Sequence, residues 1–226
     1  MPALIDIPAR PDVRVVHSVR RDGDFRPDGA PNSHEVRRRL ADLEWTQLTE
    51  DHGVEARWVD APGRHDGASG DITLTRSSSA VLGVWVGDCA PVVVLGDEVV
   101  AGVHAGWRGA RDGALERSIS AMREAGDEPR VAIVGAHIRP CCYEFGDADL
   151  ASMVERFGPS VAARDRRGRS ALDMTACVRT ALTASAPALT IIDVGLCTGC
   201  RGDLFFSHRT RAETGRQVLA VWRVES

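Results

Sequence analysis

The sequence has no lysine: all 28 of its basic residues are arginine. This excludes a Walker-type phosphate loop, which needs its lysine, and Schiff-base chemistry on an amine of the chain's own side chains. It has no basic excess either. Its 28 basic and 32 acidic residues leave a formal net charge of −4, without the electrostatic footprint of a nucleic-acid or anionic-membrane partner. No uninterrupted apolar run approaches the ~18–20 residues that span a bilayer, and residues 1–11 carry no signal-peptide core. Six cysteines in 226 residues are too sparse and irregular for a disulfide-stapled secreted scaffold. Together these absences predict a cytoplasmic protein with reduced thiols. Its chemistry must come from His, Cys, carboxylates, Arg or a metal.

What is present reads as one domain over residues 1–226, of mixed α/β class, with mixed sheets flanked by helices. A β-like stretch at 13–17 precedes a loop over 20–34. A helix follows in which Val36, Leu40 and Leu43 share a face. A strand is expected at 54–59 and a Gly/Pro-containing loop at 61–69. Valine-rich strands at 81–86 and 92–95 flank the segment GDCAP, and Gly96-Asp97 is a tight turn into a third strand at 98–104. A helix then opens at AGWRG, its apolar face made by Leu115, Ile119 and Met122. Further on, a strand at 131–135 precedes the loop AHIRPCCYEF. Helical stripes follow at Leu150, Met153, Val154 and Phe157, and at Met174, Val178 and Leu182. Residues 165–169 read as charged and exposed, 190–194 as a strand, 207–209 as loop and 218–224 as a closing strand.

Among the seven histidines (17, 34, 52, 65, 104, 137 and 208), His104 stands out. It ends a strand just before a Gly-rich turn, with Arg108 at the following helix start, a common place for anion sites. Cys89, preceded by Asp88, ends a neighbouring strand. If the hairpin forms, Cys89 and His104 flank adjacent strands. Such a pair serves either as nucleophile and base or as two ligands of a soft metal site. Cys197-Thr-Gly-Cys200 is a CxxC, but it lacks the βαβ context of a redox motif, and no second CxxC completes a zinc ribbon because Cys141 and Cys142 are adjacent. These thiols therefore read as buried or incidental, and Cys177 as helix core. Arg139, Arg209 and Arg216 lie in or near Gly-rich loops, where guanidinium groups suit phosphate or carboxylate.

The segment VWVGDCAPVVVLGDEVVAGVHAGWRGARDGAL resembles the YfiH-like family, also called laccase-domain or polyphenol oxidase proteins. The carriers are GDCAP at 87–91, HAGWRG at 104–109, GAHIRPCCYEFG at 135–146, LCTGC…FFSHRTRAETGR at 196–216, and His52-Gly53 ahead of VDAPG at 59–63. The family's Gln-Val before the first histidine is Glu50-Asp51 here, and its Asn-Leu-Gly stretch is unrecognisable between Phe25 and His34. The resemblance implies a fold like that of a bacterial toxin deamidase. It also implies a metal site of His52, Cys89 and His104, assigned to zinc with copper also proposed; His65 is a competing first ligand. Three N/S ligands with an open fourth position are the pattern of a catalytic zinc.

What the resemblance further implies is a purine nucleoside phosphorylase acting on adenosine, inosine and methylthioadenosine with phosphate, and adenosine deaminase activity. Site residues carried over are Cys89, His104 and Asp88 for catalysis and Arg108, Arg139, Tyr143 and Arg209 for substrate, with Glu144 a further candidate for proton transfer. A second reading is a cysteine hydrolase acting on cell-wall precursors, with Cys89 as nucleophile and His104 as base. A third is a non-catalytic partner of cell-wall or division proteins. A copper laccase is disfavoured, because seven scattered histidines without a His-X-His pair do not feed several coppers.

Overall fold

The valine-rich segments at the middle of the chain become the centre of the fold. The computed structural model describes residues 3–5, 10–27 and 33–224. In chain order its strands are β1 (Ala3–Ile5), β2 (Val13–His17), β3 (Glu44–Thr46), β4 (Ala56–Trp58), β5 (Ile72–Thr75), β6 (Ala80–Val86) and β7 (Ala90–Leu95). They continue with β8 (Val100–Ala105), β9 (Val131–Val134), β10 (Ala162–Arg164), β11 (Ser170–Leu172), β12 (Thr190–Asp193) and β13 (Gln217–Arg223). The helices are α1 (Ser33–Leu40), α2 (Trp107–Asp112), α3 (Ala114–Glu124), α4 (Asp147–Phe157), α5 (Met174–Ser185) and α6 (His208–Arg211).

Two mixed sheets form, in the orders β1-β2-β13-β6-β3 and β12-β9-β7-β8-β5-β4, with β10-β11 as a separate ribbon. Side-chain alternation along the strands sets the layers. In β6, Leu82 joins Val93, Leu95, Val100, Ile133 and Leu219 between the two sheets. Its neighbour Val81 points the other way, to Phe25, Val36, Trp45 and Val218 beneath α1. In β7, Val92 and Val94 face Leu115, Ile119 and Met122 of α3 and Val178 and Leu182 of α5. The order is thus helix, sheet, sheet, helices. Each of these buried aliphatic side chains contributes roughly 1.5–3 kcal/mol of transfer free energy, so cohesion resides in the sheets and leaves their ends available for chemistry. No helix among the described residues is long and apolar enough to cross a membrane.

Two strand pairings bring the motif-bearing segments together. The β7–β8 hairpin forms as the Gly96-Asp97 turn predicts, closed by the Gly96 amide donating to Val99 O at 2.8 Å, with Pro91 opposite His104. Asp127 clamps its turn by accepting the amides of Asp97, Glu98 and Val99. On the other flank β12 runs parallel to β9, Val134 facing Asp193, and the pairing resumes at a parallel bridge between His137 and Cys197. The loops that leave these two strands therefore run side by side.

Several expectations are corrected. The helix opening at AGWRG breaks at Gly113, whose φ of +103° ends α2 before α3 begins. Residues 207–209 are not loop but the start of α6, capped by Ser207 accepting the Thr210 amide. The 165–169 segment turns between β10 and β11 with residues 166–169 exposed as expected, but Asp165 is buried, holding the amides of Arg167 and Arg169. Helix α1 stops before Leu43, which is exposed. The three-residue strands β3, β10 and β11 fall below the length at which alternation is legible, and β5 is buried at all four positions, so it carries no alternation to read. Residues 28–32 of the expected 20–34 loop lie outside the described residues.

Candidate active site

His104, at the end of β8, is almost wholly buried. Its Nδ1–H donates to Asp71 Oδ1 at 2.7 Å, which fixes the tautomer and turns Nε2 outward. Asp71, just before β5, also holds the backbone at His52: it accepts the amides of His52 at 3.0 Å and Gly53 at 2.8 Å. His52 sits in a left-handed turn at φ +65°. The glycines of HAGWRG make room for that turn. A Cβ on Gly106 would lie 2.5 Å from His52 Cδ2, and one on Gly109 would lie 2.8 Å from Gly53 O. Cys89, just before β7, completes the group with Sγ 3.8 Å from His52 Nε2.

The electrostatics follow from burial and contact. Burial opposes ionisation of Cys89, but the His104 charge and hydrogen bonds from both histidines bring its thiol down to about 6. Burial likewise opposes the charge on His104, yet Glu50, Cys89 and Asp71 hold it well above its ordinary value. Burial would raise Asp71, but hydrogen bonds dominated by His104 keep it far below the usual carboxylate range. Glu50 shows the reverse. Its buried side chain stands with Oε2 3.6 Å from His104 Nε2, and burial lifts its carboxyl to about 8.

Donor atoms of His52, Cys89 and His104 all lie within 4.8 Å of one another. A zinc with Zn–S about 2.3 Å and Zn–N about 2.0–2.1 Å wants a tetrahedral S···N edge of about 3.6 Å, close to the Cys89–His52 separation. The donors therefore fit a zinc-type ion, with the carboxylate behind His104 as its orienting partner. His65 is not part of this cluster.

The triad lies in a cleft of about 320 Å³, walled by Glu50, Asp88, Trp107, Arg108, Tyr143 and Arg209. Arg108 lies over the Trp107 ring at 4.5 Å, and Arg209 over the Tyr143 ring at 5.2 Å. Asp88 is in the wall, but its carboxylate is saturated by Thr198 Oγ1 at 2.6 Å, Ser207 Oγ at 2.7 Å and the Arg209 amide at 2.7 Å. It positions that wall. Arg139 is not brought to the cleft; it pairs with Asp193 and donates to Thr175. Glu144 is also elsewhere, paired with Arg169. His17 and His137 are structural. The first bonds Ser18 O and the Ala136 amide, the second Gly135 O and Thr175, and burial lowers both pKa values, that of His137 to about 4. Sequence reasoning missed Asp71 altogether and noted Glu50 only as a departure from a motif.

Residues 20–224 match the family described as multi-copper polyphenol oxidoreductase laccase. A purine nucleoside phosphorylase of Xylella fastidiosa strain Temecula1 is 36% identical over 185 residues, covering 77% of this chain and 70% of that protein. One of Corynebacterium glutamicum is 36% identical over 163 residues, covering 67% and 62%. A protein named adenosine deaminase, from an unknown prokaryotic organism, is 30% identical over 166 residues, covering 68% and 62%. In fold, a Neisseria meningitidis protein of the DUF152 family superposes with a TM-score of 0.87 at 21% identity over 99% of each chain. Bacillus licheniformis YfiH gives 0.87 at 20% identity, over 100% of this chain and 97% of that one. With the motif residues gathered at one cleft and the family matched over nearly the whole length, the chain belongs to the YfiH-like, laccase-domain family.

Proposed function

We propose that this chain is a metal-dependent purine nucleoside enzyme. It cleaves adenosine, inosine or methylthioadenosine with phosphate, releasing the free base and (methylthio)ribose 1-phosphate, and it deaminates adenosine. The observation that carries the reading is the His52–Cys89–His104 group at the floor of a cleft walled by aromatic rings and arginines, as the names of the relatives suggest. The chain is read as a single domain over residues 1–226, with the active centre in the cleft lined between Glu50 and Arg216.

A zinc held by His52, Cys89 and His104 would act as a Lewis acid and lower the pKa of a bound water; copper is the alternative ion for this N/S set. The chain's own residues supply the rest. Arg108 and Arg209 line the cleft, and apart from a 3.4 Å donation from Arg209 Nη1 to Glu144 O their guanidinium groups form no ion pair among the described residues, so they can take phosphate oxygens. Helix α2 has only six residues, so anion binding falls to these guanidinium groups. Trp107 and Tyr143, with Arg108 and Arg209 over their rings, line the cleft in which the purine would sit. Glu50, whose carboxyl burial raises to about 8, stands 3.6 Å from His104 Nε2 and is placed to hand a proton to the departing base or amine. It takes the proton-carrying role that the sequence offered to Asp88.

The test is incubation of metal-loaded protein with adenosine, with and without phosphate. Phosphate-dependent adenine supports phosphorolysis, and phosphate-independent inosine supports deamination. If neither product forms, the nucleoside reading fails.

A further inference from the structure

Four of the six cysteines take no part in the cleft, yet the fold gathers them. Because β9 and β12 are parallel, the loop carrying Cys141 and Cys142 lies against the loop carrying Cys197 and Cys200. Their sulfurs all fall within 4.8 Å of one another. Sγ separations are 3.7 Å for Cys141–Cys197, 3.4 Å for Cys141–Cys200 and 3.4 Å for Cys142–Cys200. A disulfide needs about 2.05 Å. A tetrahedral ion with metal–sulfur bonds of about 2.3 Å needs sulfur–sulfur edges of about 3.8 Å. A multi-iron cluster would hold its thiolates much farther apart.

The structure assigns a second metal site here, closed and made of four thiolates, that holds one zinc ion. Four thiolates around a divalent ion carry a net −2 charge, and the surroundings offset it. Arg166 Nη2 donates to Cys200 Sγ at 3.1 Å, and the Arg139 amide donates to Cys197 Sγ at 3.3 Å. Close approach of the loops is built in, since a Cβ on Gly199 would lie 2.7 Å from Cys142 Cβ. All four tetrahedral positions come from protein, so the ion is structural rather than catalytic. What it secures is the cleft wall. Cys142 leads directly into Tyr143, and Thr198, inside the CxxC, bonds Asp88 beside Cys89. The CxxC that sequence alone left as incidental thiols completes its ligand set with the adjacent pair 56 residues upstream.

The test counts zinc per full-length chain after expression with zinc. The wild type is expected to hold two ions, the Cys89→Ser variant one, and the Cys141→Ser/Cys200→Ser double variant one. Zinc-edge X-ray absorption of Cys89→Ser should then show four sulfur neighbours at about 2.3 Å; this measurement decides the matter even if the double variant fails to fold. The proposal is overturned if Cys89→Ser removes all zinc, if its zinc has nitrogen or oxygen neighbours, or if the denatured, chelated wild type titrates fewer than six thiols. These readouts are independent of nucleoside turnover, so failure of the four-sulfur site and failure of the proposed activity are separately visible.

Discussion

The two thiol centres are joined through Asp88 but built on opposite plans. At the cleft, Cys89 and His104 from strand ends meet His52 from a left-handed turn, with the carboxylates of Asp71 and Glu50 behind them. At the other centre four cysteines converge from two loops, with a guanidinium and an amide behind them. Carboxylates fix imidazole tautomers and store protons, whereas cations neutralise an assembly already complete. The contrast teaches that the groups around a set of donors reveal its task better than the donors do: three ligands with acidic support leave room for chemistry, and four with basic support close the site.

The largest expected effect is at Cys89. Replacing it with alanine should cut turnover at least about 10²-fold and empty the cleft of metal, while the four-sulfur centre keeps its ion. Lost activity with undiminished zinc would instead make Cys89 a nucleophile paired with His104, as in a cysteine hydrolase. Glu50→Gln comes next, with a loss of about 10²-fold, the lower end for a general acid. The sign follows from the raised carboxyl: Glu50 carries its proton below about pH 8 and loses it above. A wild-type rate that depends on this proton falls on the alkaline side, and the variant should lack that fall. Retention of the alkaline limb in Glu50→Gln would remove Glu50 from proton transfer. Asp71→Asn should weaken metal binding at the cleft by about 10–100-fold, measured by zinc competition, with no change at the cysteine cluster. Equal weakening at both centres would mean that Asp71 supports the fold generally.

The sequence made one of these centres partly legible and hid the other. Cys89 and His104 could be placed on adjacent strands because a Val-rich hairpin with a Gly-Asp turn fixes which strands are neighbours; that they meet depends on the register, which sets Pro91 opposite His104. Asp71 could not be singled out. It is one of 32 acidic residues, and its importance lies in reaching two histidines 19 residues before it and 33 after it. Glu50 was visible only as an acid in place of an amide; its burial against His104 depends on the packed sheet ends. The cysteine cluster needed the parallel β9–β12 pairing, a contact between segments about 60 residues apart that local periodicity does not encode. Arg139 misled for the opposite reason: a guanidinium in a Gly-rich loop looks available until Asp193 is found beside it.

The smallest expected effect concerns the wall between the centres. Glu213 accepts the Ser207 amide at 2.9 Å, Arg20 at 2.7 Å and Arg211 at 2.9 Å, tying α6 and its Arg209 to the 20–22 turn. Burial works against its charge, but these donors lower its carboxyl to about 2. A carboxyl depressed in the fold stabilises it above the unfolded value, about 4.3, and loses that contribution as the pH falls towards 2. Its partners Arg20 and Arg211 are 31% and 28% exposed, so the contribution at pH 7 is about 1 kcal/mol, or about 2–4 °C in Tm. Glu213→Gln should melt that much earlier at pH 7, and the gap to wild type should narrow in melts taken stepwise from pH 5 to pH 3. Zinc at both centres should be retained, because neither donor set is touched. A gap that stays constant with pH would place the effect in shape rather than charge. Loss of metal from the four-sulfur centre would show that the wall supports that centre as much as the centre supports the wall.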